Sequence, residues 1–107
     1  MAKKRVILPV HPGTVLLEEF LLPMGISDSR LAKDINVHVG KLRKIIDGKE
    51  DLTLDIAVRI ALFFKMSVDF WLGLQKDYEL DVAKISLTEK LKKEVHPWPG
   101  HLVHETI

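Results

Sequence analysis

The sequence predicts an all-α domain of five helices with a candidate sixth, and three observations carry that expectation. Within residues 27 to 53, SDSRLAKDINVHVGKLRKIIDGKEDLT, two short amphipathic patterns follow each other across a gap that admits only a tight turn, which is how a helix-turn-helix reads. Apolar residues recur at helical spacing on both sides of that stretch. Capping residues and helix breakers stand at the ends of these runs.

The elements follow in order. Residues 1 to 10 begin basic and continue into VILPV, where Pro9 opposes a regular helix or a central strand, so an extended arm is expected. His11 and Pro12 open the first helix, since proline suits a first turn; Leu16, Leu17, Phe20 and Leu21 form its inward stripe, and Pro23 and Gly25 end it. Ser27 caps the second helix, whose Leu31, Ala32 and Ile35 share a face. Past Asn36 and Val37 a third pattern places Leu42, Ile45 and Ile46 inward before Gly48 offers a left-handed C-cap. Thr53 caps a fourth helix carrying Ile56, Ala57, Ile60, Ala61 and Phe64. Ser67 caps a fifth, where Phe70, Trp71, Leu74 and Tyr78 form the stripe and Leu72 lies off it. A helix apolar on more than one face, in a domain this small, implies cover by another chain. Ser86 and Glu89 have the spacing of a capping box, so a short sixth helix is expected over 87–95, stopped by HPWPG. The HLVHETI end has little to pack with and is expected to be mobile. The expected organisation is an arm over 1–10, a domain over 11–83 and a C-terminal tail over 84–107.

Composition narrows the function. With 107 residues, 47% hydrophobic and 29% charged, the chain suits a single globular domain. No apolar run approaches the ~20 residues of a membrane span, and the apolar part of MAKKRVILPV is too short for a signal peptide, so a cytoplasmic protein is expected. The lack of cysteine removes disulfides, thiolate catalysis and cysteine-ligated zinc together. No glycine-rich phosphate loop, G-x-S-x-G or H-E-x-x-H occurs, so neither an enzyme nor a cofactor is expected. His96, His101 and His104 lack helical ligand spacing and read as solvated tail residues rather than metal ligands. The net charge of +1 is uninformative, but its distribution is not: residues 27 to 49 carry six Lys or Arg against three Asp, and residues 50 to 83 reverse the balance.

That basic stretch coincides with the helix-turn-helix. With Leu42, Ile45 and Ile46 inward, the third helix turns Gly40, Arg43, Lys44 and Asp47 outward, flanked by Val39 and Lys41. Arg43 is the expected base reader, because a guanidinium can donate two hydrogen bonds to guanine. Lys41 and Lys44 suit phosphate, Val39 a thymine methyl group, and Gly40 a close backbone approach. Phosphate positioning is expected from the amides near Ser27, Asp28 and Ser29, and from Arg30, Lys49 and Thr53. Asp28 stands oddly there, since a carboxylate repels phosphate.

The stretch LAKDINVHVGKLRKIIDGKEDLT resembles the helix-turn-helix of the XRE, or Cro/C1-type, repressors. HPGTVLLEEFL before it and RIALFFKMSVDFWLGLQKDYEL after it are more specific and resemble the HigA, or VapI-type, antitoxins, over roughly residues 11 to 83. The resemblance implies a compact lambda-repressor-like fold and a homodimer that binds double-stranded operator DNA and a HigB-type toxin, a RelE-like ribonuclease. It assigns recognition to residues 38 to 47, His38 included, and dimerisation to the fifth helix and beyond, here Phe70, Trp71, Leu72, Leu74, Tyr78 and Leu80. The sequence departs from the pattern twice: Asp28 stands where glutamine often follows the helix cap, and His38 where Ser or Thr usually caps the recognition helix. Two alternatives stay open, a solitary XRE-type repressor without a toxin and an interaction module that has lost specific DNA binding.

Overall fold

The computed structural model describes residues 8–100, and among these the chain forms five continuous helical segments and no strand. The first, α1, runs through Pro12–Val15, a π-type turn at Leu16–Leu21 and Leu22–Met24. Helix α2 spans Asp28–Ile35, α3 Val39–Ile46 and α4 Leu54–Phe64. Helix α5 spans Val68–Val82 and continues through Ala83–Leu87 and Thr88–Lys92. Residues 1–7 of the expected arm, and the HLVHETI end with His101 and His104, lie outside the described residues.

Two helix boundaries differ from expectation. Pro23 does not end α1 but sits inside its last turn, and the helix stops at Gly25, which is left-handed at φ 68°. The π-type turn just before Pro23 explains the tolerance: a widened turn shifts the hydrogen-bond register where a proline has no amide to give. It also brings Leu16 and Leu21, five residues apart, onto one buried face, while Leu17 and Phe20 are only half-buried. Ser86 is no cap either. A cap needs non-helical backbone, whereas Val82, Leu87 and Thr88 are all right-handed helical, and the Ser86 hydroxyl donates to the Val82 carbonyl at 3.0 Å. The expected sixth helix is therefore the far end of α5.

Three of the four links between helices have the same construction. Gly25-Ile26-Ser27, Asn36-Val37-His38 and Lys65-Met66-Ser67 each supply a left-handed residue, an apolar residue and a cap for the next helix. In each, the apolar residue's amide donates back to the carbonyl five residues earlier, Ile26 to Leu21 at 3.0 Å, Val37 to Ala32 at 2.9 Å and Met66 to Ala61 at 2.8 Å. The incoming side chain then satisfies a free amide: Ser27 accepts from Arg30 N, His38 from Gly40 N and Ser67 from Asp69 N, each at 3.0 Å. The link from α3 to α4 starts alike, with Gly48 at φ 77° and Lys49 N donating to Lys44 O at 2.8 Å, but runs on to Thr53, which caps α4.

The core joins Leu16 and Leu21 of α1 with Leu31, Ala32 and Ile35 of α2, Leu42, Ile45 and Ile46 of α3, Ile56, Ala57, Ile60 and Ala61 of α4, and Trp71 of α5. Trp71 is fully buried within the single chain, so it leaves the expected dimer-interface set: a residue with no surface of its own offers none to a partner. Its ring lies 5.1 Å from Phe20 and from Phe70 and 6.4 Å from Phe64, tying α5 to α1 and α4.

Helix α1 meets α3 backbone to backbone. A Cβ at Gly13 would collide with the carbonyl of Ile45 and the Cα of Ile46, so only glycine fits. His11 completes the contact: its Nδ1 accepts from Gly13 N at 2.9 Å, its ring packs beside Gly48 and lies 4.9 Å from Tyr78, and it is buried. Replacing Gly13 by alanine forces backbone apart and is expected to destabilise the protein by about 3 kcal/mol, read as a lower urea midpoint; an unchanged midpoint would refute the close approach. Lys65→Gly is expected to do the opposite, relieving a left-handed lysine at φ 58° and raising stability by roughly 1 kcal/mol in the same measurement.

Candidate nucleic-acid interface

Helices α2 and α3 are set by the Asn36-Val37-His38 turn, and the α2 carboxyl end is closed from outside. Arg59 of α4 donates through Nη1 to the carbonyls of Ile35 at 2.9 Å and Asn36 at 3.3 Å, while its Nε pairs with Asp55 at 2.6 Å. A cation at a helix C-terminus satisfies carbonyls that have no partner in the helix. The loop after α3 is held likewise: Leu52 N donates to Gln75 Oε1 of α5 at 2.9 Å, and Gln75 Nε2 donates to Glu79 at 2.8 Å. Gln75 is buried. Neither role has a local sequence signal, because each partner is more than twenty residues away.

Buried Leu42, Ile45 and Ile46 fix the rotation of α3, which leaves Lys41, Arg43, Lys44 and Asp47 exposed and Val39 and Gly40 half-buried. His38 caps this helix in place of Ser or Thr, its Nδ1 accepting from Gly40 N. The imidazole lies so close that a Cβ at Gly40 would meet it at 3.2 Å, so part of the reason for glycine here is the cap itself. The departure at His38 therefore preserves the start of α3.

The cations of this face do not stand alone. Arg43 Nε donates to Asp28 Oδ2 at 2.8 Å, and Nη2 reaches Asp28 Oδ1 and Ser29 Oγ at 3.4 Å each. Lys41 donates to Glu50 Oε1 at 2.8 Å, with Lys44 3.7 Å from its Oε2. Arg30 pairs with Asp34 at 2.7 Å. Among the described residues no ion pair involves Lys49, which is exposed. The hydrogen bond from Arg43 holds the Asp28 carboxyl below the usual aspartate range, and that from Lys41, with the charge of Lys44, does the same for Glu50. All these pairs are solvent-exposed and salt-screened, so each contributes little to the stability of the fold.

Of the residues expected at the interface, Ser29 and Arg43 meet at Asp28, and Lys41 and Lys44 meet at Glu50. Ser27 and Thr53 are committed as caps, accepting from Arg30 N at 3.0 Å and Ile56 N at 3.3 Å. Arg30 turns toward its own helix. Nothing local in the sequence marks Glu50 as the partner of Lys41, nine residues away, and the proximity of Asp28 to Arg43, fifteen residues on, exists only once the two helices pack. Among the described residues no group of three or more His, Asp or Glu side chains is placed to hold a metal, and no helix is long and apolar enough to cross a membrane.

No protein-family model matches the chain. Curated proteins do: it is 35% identical over 83 residues to virulence-associated protein I of Dichelobacter nodosus, a match covering 78% of this chain and 77% of that protein. It is 36% identical over 72 residues to antitoxin HigA-1 of Vibrio cholerae, covering 67% and 68%, and 38% identical over 72 residues to the HTH-type transcriptional regulator YbaQ of Escherichia coli, covering 67% and 64%. Among solved structures, the Pseudomonas aeruginosa antitoxin HigA with the higBA promoter superposes with a TM-score of 0.77 at 31% identity, over 83% of this chain and 97% of that one. Antitoxin GraA in complex with its operator does so with a TM-score of 0.80 at 27% identity, over 92% and 100%. Similar to these relatives in sequence, and sharing its helical fold with antitoxins solved with a promoter or an operator, the chain belongs to the HigA, or VapI-type, family of helix-turn-helix antitoxins.

Proposed function

We propose that the protein is the antitoxin of a type II toxin-antitoxin module, which represses its own operator as a dimer and neutralises a RelE-like, mRNA-cleaving toxin by direct binding. The observation that carries the DNA half is the outward cationic face of α3, capped and oriented as a recognition helix on a frame shared with operator-bound antitoxins. Each subunit would place residues 38 to 44 in a major groove, with the two half-sites roughly 34 Å apart. Arg43 reads a base edge; Lys41, Lys44 and Lys49 hold phosphate; Val39 and Gly40 lie against the groove. The amide ends near Ser27 and Ser29, with Arg30, His38 and Thr53, complete the backbone contacts. No catalytic role is assigned, and both proposed activities would be carried out in the cytoplasm.

Helix α5 is the proposed dimer element. Phe70 and Leu80 are exposed at 42% and 47%, and Leu72, Leu74 and Tyr78 are half-buried; farther along, Ile85, Leu87 and Leu91 stay exposed on a helix that outruns the core. A partner chain would remove that apolar surface from water. The kinship with YbaQ, named only as a transcriptional regulator, favours a second reading in which the chain is a solitary repressor.

Two measurements test these assignments. Arg43→Ala is expected to weaken operator binding by about tenfold, and Lys44→Ala to weaken binding to any duplex and flatten the salt dependence by about one counterion; if neither variant binds more weakly, α3 is not the reading helix. Coexpression with the neighbouring reading frame is expected to yield a stable complex with a small basic RelE-like protein. Its absence, with operator binding intact, decides for the solitary repressor.

A further inference from the structure

Among the described residues, Asp28 is the one carboxylate hydrogen-bonded to the side chain proposed to read a base. It leads α2 directly after the Ser27 cap and reaches across the turn to Arg43 of α3, engaging Nε at 2.8 Å and Nη2 at 3.4 Å. Ser29 Oγ, also 3.4 Å from Nη2, adds a second acceptor and donates its own proton toward Asp28 Oδ1. The Nε/Nη2 edge of the guanidinium is thus turned toward the protein. Its Nη1 has no protein partner among the described residues, and the arginine side chain remains 53% exposed.

Such a carboxylate does two opposing things to DNA binding. Near phosphates it repels, which lowers affinity for every sequence alike. By holding two points of a planar, five-donor group it also removes rotamer freedom that an unheld arginine would lose on binding, and it fixes the plane in which the outer donors lie. Planarity matters only where the acceptors are fixed in direction, as O6 and N7 of guanine are. The Lys41 and Lys44 pairs with Glu50 do not share this property, because an ammonium has no plane to orient.

From this we infer that Asp28 is a positioning residue for sequence recognition: it holds Arg43 by its Nε/Nη2 edge so that the Nη1 side meets a guanine, lowering overall affinity while raising discrimination. The inference rests on the reading of Arg43 as a base contact. It adds a role in discrimination to the repulsion of phosphate that the charge of Asp28 implies.

The test measures affinity of the full-length chain, at one salt concentration, for its operator duplex and for a scrambled duplex of equal length and composition. The proteins are wild type, Asp28→Ala, Asp28→Glu, Arg43→Ala and the Asp28→Ala/Arg43→Ala double variant. With Asp28→Ala, scrambled-duplex affinity should stay level or rise, while the operator-to-scrambled ratio falls about tenfold. Asp28→Glu should recover part of that ratio, and Asp28→Ala should change it no further once Arg43 is alanine. Equal strengthening on both duplexes, with the ratio unchanged, would make Asp28 a mere counterion and overturn the proposal. A tenfold fall persisting in the Arg43→Ala background would overturn it too. If Arg43→Ala itself leaves the ratio untouched, the base-reading assignment fails as well, so the two failures are told apart.

Discussion

The backbone contact of Gly13 with Ile45 and Ile46 is the constraint on which the arrangement depends. Helices normally keep their axes apart by the thickness of their side chains; here one helix start lies directly on the end of another, with no atom between. His11 locks the approach by capping α1 with one ring nitrogen while its ring fills the space beside Gly48 and Tyr78. Because Ile45 and Ile46 end α3, this contact sets the tilt of that helix, and the buried Leu42 sets its rotation. The direction in which Arg43 and Lys44 project is therefore decided largely by buried residues.

The links between helices follow the same economy. A left-handed residue, an apolar anchor and a capping side chain turn the chain within three residues, and the unit recurs three times. Each position has its own physical demand: positive φ, burial over the preceding turn, and an acceptor for a free amide. Chemistry varies where the demand is met, which is why Gly25, Asn36 and Lys65 occupy equivalent places, and why His38 can stand where a hydroxyl residue is usual.

The motifs that mark the family belong to this scaffold. HPG supplies His11, Pro12 and Gly13 for the α1–α3 contact; RIA supplies Arg59, which closes the end of α2; FWLGLQ supplies buried Trp71 and Gln75, which hold the core and the loop after α3. The outward face of α3 is organised differently, through exposed ion pairs that water and salt weaken. Its cations are paired in place with Asp28 and Glu50.

The sequence by itself determined the helical class, the positions of the caps at Ser27, Thr53 and Ser67, the inward residues of α2 to α4 and the outward set around Arg43, because each depends on neighbours within one or two turns. Local signals misled where register or partner was at stake. Pro23 was accommodated by a widened turn, Ser86 was absorbed into a continuing helix, and Trp71 went to the chain's own core rather than to a partner. Only the tertiary structure could place Asp28 against Arg43, Glu50 against Lys41, Arg59 on the end of α2 and Gln75 on Leu52. These contacts join residues on separate elements, and side-chain charge or amide chemistry carries no record in sequence of which distant group it will meet once the helices pack.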